Sequence, residues 1–405
     1  MTTAGPGDES TASEIFLVAA EASGDRLGVA LMRALRERAG RPLRFCGVGG
    51  REMTAAGFEN LHAMDDFAII GFSAIPRRLP RILKRMFATV RAVLAHKPDV
   101  LVVIDSPSYS LWVARLVRLI DRTIPIVDYV SPSVWGWRPG RAKSMRSYID
   151  HVLALLPFEP DVHRRLGGPP CTYVGHPLIE EVAQLRPNQQ EAERRRAKPP
   201  IILALPGSRS GEVTRLAEIF GRTLGIVAER AGPIELIVPT VPFLAEQVAA
   251  ATAAWPVQPR IVTDPVEKQA AFRSAHAALA KSGTVTLELA LAGVPMVAAY
   301  LVSAFEEWVG RRLILVKSII LANLVIGEDV VPQMLQADCT PQRLAAELLP
   351  LIGDTPERQR QLDAFARLDA IMEIGTRSPA GRAADIVLGV MRQPRSPMAA
   401  TAANR

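Results

Sequence analysis

An α/β protein made of two doubly wound parallel-sheet domains is the fold class that the sequence predicts, and three observations carry it. Short aliphatic or β-branched runs alternate with longer helical patterns from end to end: Ile15–Ala19, Val100–Ile104, Ile124–Val130 and Val152–Leu155, then Ile201–Leu205, Glu235–Val238, Ala277–Ala280 and Pro295–Ala299. That rhythm marks βαβ units on parallel sheets, whose strands are buried on both faces. Between the two series lies RPNQQEAERRRAKPP, 186–200, almost without apolar residues and ending in two prolines, which reads as a linker. The length, 405 residues, suits two to three domains at roughly 100–200 residues each. The expected organisation is a disordered tail 1–13, an N-terminal domain 14–185, the linker, a C-terminal domain 201–360, a helical segment 361–392 packing back on the first domain, and a disordered tail 393–405. Two such domains would leave a cleft between the carboxyl ends of their sheets.

Composition narrows the class. With 49% hydrophobic and 22% charged residues the chain is ordinary globular material, which excludes disordered, collagen-like and disulfide-scaffold proteins. Cys46, Cys171 and Cys339 stand far apart without a CxxC pair, so a reducing cytoplasm is expected. The run Ile15–Ala20 is stopped by Glu21 and preceded by Asp8 and Glu9, unlike a signal peptide. The apolar stretch from Leu313 to Ile326 carries Lys317, and no transmembrane helix is expected.

Taken in chain order, the first strand runs into AAEASGDRLG, where Ser23, Gly24 and Asp25 turn the chain into a helix expected to begin near Arg26. A glycine there admits a ligand and the helix N-terminus favours an anion, but an ordinary capped βα turn explains the same residues. Gly47-Val48-Gly49-Gly50 forms a second such turn, and neither matches GxGxxG.

The net charge of +7 is concentrated in one place, since Arg77, Arg78, Arg81, Lys84, Arg85, Arg91 and Lys97 occur with no acid among them. Leu79, Ile82, Leu83, Met86, Phe87, Val90, Val93 and Leu94 follow helical spacing through this segment, with Pro80 tolerable only in a first turn. A core-packed face and an amphipathic helix on an anionic membrane surface both fit. With no RNA or DNA motif and 5% aromatics, nucleic acid ranks below the membrane as a partner.

Asp105 stands at the carboxyl end of the strand in DVLVVIDSPSYS, where it either takes a proton from an incoming hydroxyl or caps the next helix. In LPGSRSGEV, Ser208 and Arg209 bring a hydroxyl and a guanidinium to a strand-to-helix turn, which suits a phosphate. In KSGTVTLELA, Ser282, Gly283 and Thr284 open a helix that puts Glu288 one turn on, placed to accept ribose hydroxyls, although the same residues also cap helices that bind nothing. No metal site is expected: the six histidines are dispersed without HxxxH spacing and no Asp-x-Asp pair occurs. His176 reads as a domain-junction residue.

The ordered set AAEASGD, GVGGREMTAAGF, IIGFSAIPRRLP, VVIDSP, VSPSVWGWRPGR, LALLPFEP, VGHPL, LPGSRSGEV, KSGTVTLE and NLVIGEDVVPQMLQ resembles the lipid-A-disaccharide synthase family over nearly the whole chain. The resemblance implies two Rossmann-like domains in the GT-B arrangement, no metal and no cofactor. It implies inverting attack by a glucosamine 6-hydroxyl of 2,3-diacylglucosamine 1-phosphate (lipid X) on UDP-2,3-diacylglucosamine. The products would be the β-1′,6-linked disaccharide 1-phosphate and UDP. Asp105 then resembles the family's essential aspartate, Ser208 and Arg209 its phosphate loop, Glu288 its ribose carboxylate, and Asn323 and Gln336 further donor-side residues. Ser23, Gly24 and Asp25 fall on the acceptor side, and Arg78, Arg81, Lys84, Arg85 and Phe87 on the membrane side. The implied setting is the cytoplasmic face of an anionic inner membrane, with a homo-oligomer left open. Where the family reads IDxPDFN this chain has Ser108 and Ser110, Ala20 and Ala74 stand where it typically has a glycine and a glutamate, and Gln333 and Met334 stand in its PEFLQ stretch. The losses near Asp105 and Ala74 bear on the acceptor side more than on the donor side. Two other readings stay open: a GT-B relative such as a UDP-N-acetylglucosamine 2-epimerase or a paralogue with another acceptor, and an inactive membrane-bound nucleotide-binding module.

Overall fold

The computed structural model describes residues 12–63, 75–303, 307, 316, 318–374 and 377–392, and nothing of the side chains of 75–79. The expected tails and Ala74 lie outside these residues, except that Ser13 already starts a strand. The chain divides into two compact units, Met1–Pro177 with Thr376–Arg405, and Leu178–Gly375.

The first unit is built on seven parallel strands: β1 (Ser13–Ala19), β2 (Leu43–Gly49), β3 (Glu59–Ala63), β4 (Val100–Ile104), β5 (Ile126–Tyr129), β6 (His151–Ala154) and β7 (Cys171–Tyr173). Their order is β3-β2-β1-β4-β5-β6-β7, so the winding reverses between β1 and β4. Both faces are covered, which is why the central strands β1 and β4 read as near-continuous apolar runs, unlike the outer β3 and β7. Leu31 and Leu35 of helix Ala22–Arg38, with Val387 of helix Pro379–Met391, cover one face. Met86 and Val90 of helix Ile75–His96, with Val113 and Val117 of helix Ser110–Ile120, cover the other. Each such side chain contributes roughly 1.5–3 kcal/mol by leaving water.

The second unit carries β8 (Ile201–Leu205), β9 (Glu235–Pro239), β10 (Arg260–Val262), β11 (Ala277–Lys281), β12 (Met296–Tyr300) and β13 (Gln333–Leu335), ordered β10-β9-β8-β11-β12-β13 and all parallel. Here the reversal falls between β8 and β11. Phe220 and Leu224 of helix Ser210–Ala231 and Leu344 and Leu348 of helix Pro341–Leu348 close its core. In open α/β sheets ligands bind beyond the carboxyl ends of the strands at such reversals.

Several expectations shift. The stretch 186–200 is not a free linker. It holds helix Gln189–Arg194, started by an Asn188–Glu191 capping box, and Arg195 donates to the carbonyls of Phe272, Arg273, Ala292 and Gly293, which fastens it to the second unit. The segment 361–392 splits: helices Pro356–Ala366 and Leu368–Ile371 belong to the second unit, and only helix Pro379–Met391 packs on the first. The first helix begins at Ala22, not near Arg26, and a Cβ at Gly24 would stand 3.3 Å from the Ile104 carbonyl oxygen, so glycine lets the helix start hard against β4. Helix Ile75–His96 starts early enough that Pro80 is interior, where it lacks the hydrogen bond to the preceding turn.

Candidate active site

Each reversal point carries a cluster of polar side chains. In the first unit Asp105 follows β4 with φ +54° and Ser106 with φ +50°, and Val130 after the adjacent β5 has φ +87°. A left-handed β-branched residue is a true outlier, and consecutive left-handed residues cost roughly 1–3 kcal/mol each, so this edge stores strain of the kind found at functional sites. The turn aims Asp105 at the start of the first helix. Ser23 Oγ donates to Asp105 Oδ2 at 2.7 Å, and the Ser106 N–H donates to Oδ1 at 2.7 Å. Ser23 is exposed and Asp105 half-buried, which leaves the carboxylate reachable from solvent.

Asp25 has a different occupation from the acceptor-side one expected. Its buried carboxylate accepts from the N–H groups of Gly50 (2.8 Å), Glu52 (3.0 Å) and Met53 (3.1 Å), capping helix Arg51–Ala55. The glycine turn at 47–50 is likewise taken up by the fold. Gly47, at φ +135°, leaves no room for a Cβ beside the Leu17 carbonyl, and a Cβ at Gly50 would lie 2.2 Å from Asp25.

Three buried acids and bases near this edge escaped the sequence reading. Asp128 on β5 is 2% exposed and its Oδ2 has no hydrogen-bond partner among the described residues. Burial, then the charges of Asp105 and Glu159, push its carboxyl well above the ordinary range. Glu159 accepts from the Leu156 N–H at 3.0 Å and from Trp135 Nε1 at 3.2 Å, yet burial still raises it to about 8. His163 faces Ser131 Oγ at 2.9 Å and is held neutral by burial, at about 4. The strand Ile126–Tyr129 shows one acid in an apolar run, the only sequence signal for Asp128.

In the second unit, a cavity of about 340 Å³ opens at the carboxyl ends of β8, β9 and β11, lined by Ser208, Arg209, Glu212, Lys268, Lys281 and Glu288 among others, with Gly283 and Thr284. Gly207, at φ +134°, could carry no side chain without striking Glu212, and this lets the Ser208 N–H reach Glu212 Oε2 at 3.0 Å. Lys281 Nζ stands 2.9 Å from Glu212 Oε1, and Lys268 Nζ 2.7 Å from Glu288 Oε2. Burial pushes the Glu212 carboxyl up, but Lys281, the Ser208 N–H and Arg209 outweigh it and hold it below the ordinary value. Three cations and two carboxylates thus meet in one small space, a composition suited to a ribosyl diphosphate. Glu212 and Lys281 lie within the LPGSRSGEV and KSGTVTLE motifs without a signal of their own, and Lys268, from helix Pro265–Ser274, has no local signal.

The remaining expected donor-side residues are engaged elsewhere. Ser282 is buried and donates to the Ile319 carbonyl at 2.9 Å. Asn323 is 3% exposed, accepting from the Val330 and Val331 N–H groups and donating to the Val331 carbonyl, so it ties a turn together. Gln336, at φ +49°, accepts from the Val302 N–H at 2.8 Å and donates to Glu307 Oε2 at 2.8 Å. None of the three lines the cavity.

On the basic helix, Met86, Val90 and Val93 are buried, whereas Leu83 and Phe87 are 40% and 54% exposed beside exposed Arg81 and Lys84 and half-buried Arg85. The side chain of Arg78 lies outside the described residues. Trp112 on the neighbouring helix is also half exposed, with Arg115 stacked 5.6 Å from its ring. Among the described residues no helix is long and apolar enough to cross a membrane.

Two parallel sheets with a polar cluster at each reversal define the class. The fold matches solved structures of Acinetobacter baumannii MurG (TM-score 0.56, 16% identity, covering 93% of this chain and 99% of that one) and of the S. aureus MnaA–UDP complex (TM-score 0.60, 13% identity, 95% and 99%), so this is a GT-B protein. The particular family is defined by sequence. The family model described as lipid-A-disaccharide synthetase matches residues 15–387, and the lipid-A-disaccharide synthase of Rhodopseudomonas palustris strain HaA2 is 57% identical over 94% of this chain and 96% of its own. The chain belongs to the lipid-A-disaccharide synthase family and is a glycosyltransferase.

Proposed function

We propose that the protein performs its family's reaction with the donor's UDP held in the Ser208–Glu288 cavity and Asp105 acting as the base. UDP-2,3-diacylglucosamine is the donor, the 6-hydroxyl of lipid X attacks its anomeric carbon with inversion, and UDP leaves. The observation that supports this best is the meeting of Arg209, Lys268, Lys281 and Glu288 in one cavity. The cations neutralise the diphosphate, which lowers the cost of its departure without a divalent ion. Glu288 accepts the ribose hydroxyls through the oxygen that Lys268 leaves open.

Asp105 takes the acceptor's proton, and Ser23 orients it through the 2.7 Å hydrogen bond. Burial disfavours charge on the neighbouring Asp128 carboxyl. Ser108, exposed three residues after Asp105, stands where the family has an acid and tunes acceptor preference, while Ser110 is buried in the first turn of its helix. Leu83 and Phe87, ringed by Arg81, Lys84 and Arg85, hold the first unit to an anionic inner-membrane surface on its cytoplasmic face, where the acylated substrates reside.

Calorimetry tests the donor half. Glu288→Ala should weaken UDP binding by about 10- to 100-fold, as the loss of a charge-assisted hydrogen bond worth about 1.5–3 kcal/mol requires. An unchanged dissociation constant would remove Glu288 from the site.

A further inference from the structure

At the amino-terminal edge of the first sheet, opposite the edge that carries Asp105, three side chains of different chemistry converge. β1 and β2 run parallel with Glu14 opposite Arg44 and Phe16 opposite Cys46, so Glu14 and Cys46 share one face. His96, the last residue of helix Ile75–His96, descends onto the same face with its ring edge-on to Phe16 at 5.9 Å. The result is a thiol, an imidazole and a carboxylate in mutual contact: Cys46 Sγ to Glu14 Oε1 is 3.4 Å, Cys46 Sγ to His96 Nδ1 is 3.8 Å, and His96 Nδ1 to Glu14 Oε1 is 2.7 Å.

We propose that Glu14, Cys46 and His96 form a three-ligand site for a borderline divalent cation of the zinc class, with its fourth position open to solvent. The donor set is sulfur, nitrogen and oxygen, the mixture such ions take, and hard cations do not choose thiolate. Tetrahedral zinc with bonds of about 2.3 Å to sulfur and 2.0 Å to nitrogen and oxygen sets sulfur about 3.5 Å from each other donor and those two about 3.3 Å apart. The observed trio meets this with two small adjustments, an opening of the Glu14–His96 pair by about 0.6 Å and a closing of the Cys46–His96 pair by about 0.3 Å. Cys46 is fully buried while the Glu14 and His96 side chains are 20% and 26% exposed, so the floor is fixed and the mouth accessible.

The surroundings orient the ligands. The Glu14 N–H donates to Asp99 Oδ2 at 2.8 Å, pinning the strand, and Arg44, bound to Glu59 at 2.6 Å, lies 4.0 Å from Glu14 Oε2 and leaves Oε1 facing the trio. No sequence spacing signals the site, because its residues come from two strands and a helix end, 32 and 50 positions apart. It takes no part in the transfer reaction proposed above.

The test is titration of the chelator-stripped full chain with Co²⁺ and Zn²⁺, followed by absorption and equilibrium dialysis, with UDP calorimetry as a check on folding. The expected result is one equivalent of Co²⁺ with a thiolate-to-metal band in the near ultraviolet, displaced by Zn²⁺. Cys46→Ser should remove the band, His96→Gln should weaken binding by at least about tenfold, and Cys171→Ser should change neither. If buried Cys46 does not tolerate replacement, half-exposed His96 still decides the matter. Absence of stoichiometric binding, a spectrum without thiolate character, or equal affinity in wild type and His96→Gln would overturn the site and leave the UDP result untouched.

Discussion

Asp105 is held by two hydrogen bonds in a left-handed backbone, and one of the two, from Ser23, comes from a different element 82 positions away. A helix cap needs no such partner. If the carboxylate takes the acceptor proton, Asp105→Asn keeps the shape and loses the chemistry, so turnover should fall by about 10²–10⁴ while UDP affinity stays within a few-fold. Ser23→Ala should be milder, about tenfold in turnover, since one hydrogen bond to a charged group is lost. Steady-state rates beside UDP calorimetry check both, and wild-type turnover in Asp105→Asn would reduce the residue to a cap.

At the scale of elements, helix Ile75–His96 divides its apolar residues between two tasks. Met86, Val90 and Val93 fill the core, and Leu83 and Phe87 face outward among basic residues. Sequence periodicity showed one broad apolar stripe and could not say where the sheet ended and the solvent began. Because each Lys or Arg near an anionic surface contributes about 1 kcal/mol, replacing Arg78, Arg81, Lys84 and Arg85 with Gln should release the protein from anionic vesicles at moderate salt. Phe87→Ser should weaken vesicle binding with little change in melting temperature. A large drop in melting temperature, with vesicle binding of the quadruple variant unchanged, would make that face ordinary.

The helix that starts at Glu159 makes a separate, pH-dependent claim. Its carboxyl titrates at about 8 in the folded chain against an ordinary 4.5, because burial disfavours the charge. The folded state therefore holds the proton more tightly, and stability is lost as pH rises from about 4.5 through about 8. Glu159→Gln cannot charge, so although its amide NH2 replaces one of two accepting oxygens and offsets the whole curve, it should lose less melting temperature than wild type between about pH 5 and about pH 9. Parallel melting curves across that range would contradict the burial argument.

For the molecule as a whole, what was legible followed from contiguity. The main strand runs and the strand-to-helix turns LPGSRSGEV and KSGTVTLE are local patterns, and the structure brings Ser208, Arg209, Gly283, Thr284 and Glu288 to one cavity. The strand order and its reversals are not local and came only with the structure. Lys268 and Asp128 were not legible, since each matters only through a partner brought by another element. Asn323 and Gln336 carry local partners that the motif did not reveal: Asn323 holds a turn and Gln336 the Val302 backbone. The linker failed for a similar reason: a polar, proline-ended stretch looks detached until Arg195 is seen binding four carbonyls.

The central claim concerns the reaction itself, and the departures at Ser108 and Ser110 make the acceptor its sharpest point. The most direct measurement is mass spectrometry of the products after incubation with UDP-2,3-diacylglucosamine and 2,3-diacylglucosamine 1-phosphate. The account requires the tetraacylated disaccharide 1-phosphate and an equal amount of UDP, formed only when both substrates are present. UDP bound without any disaccharide, or UDP-N-acetylglucosamine consumed with no acceptor, would contradict it.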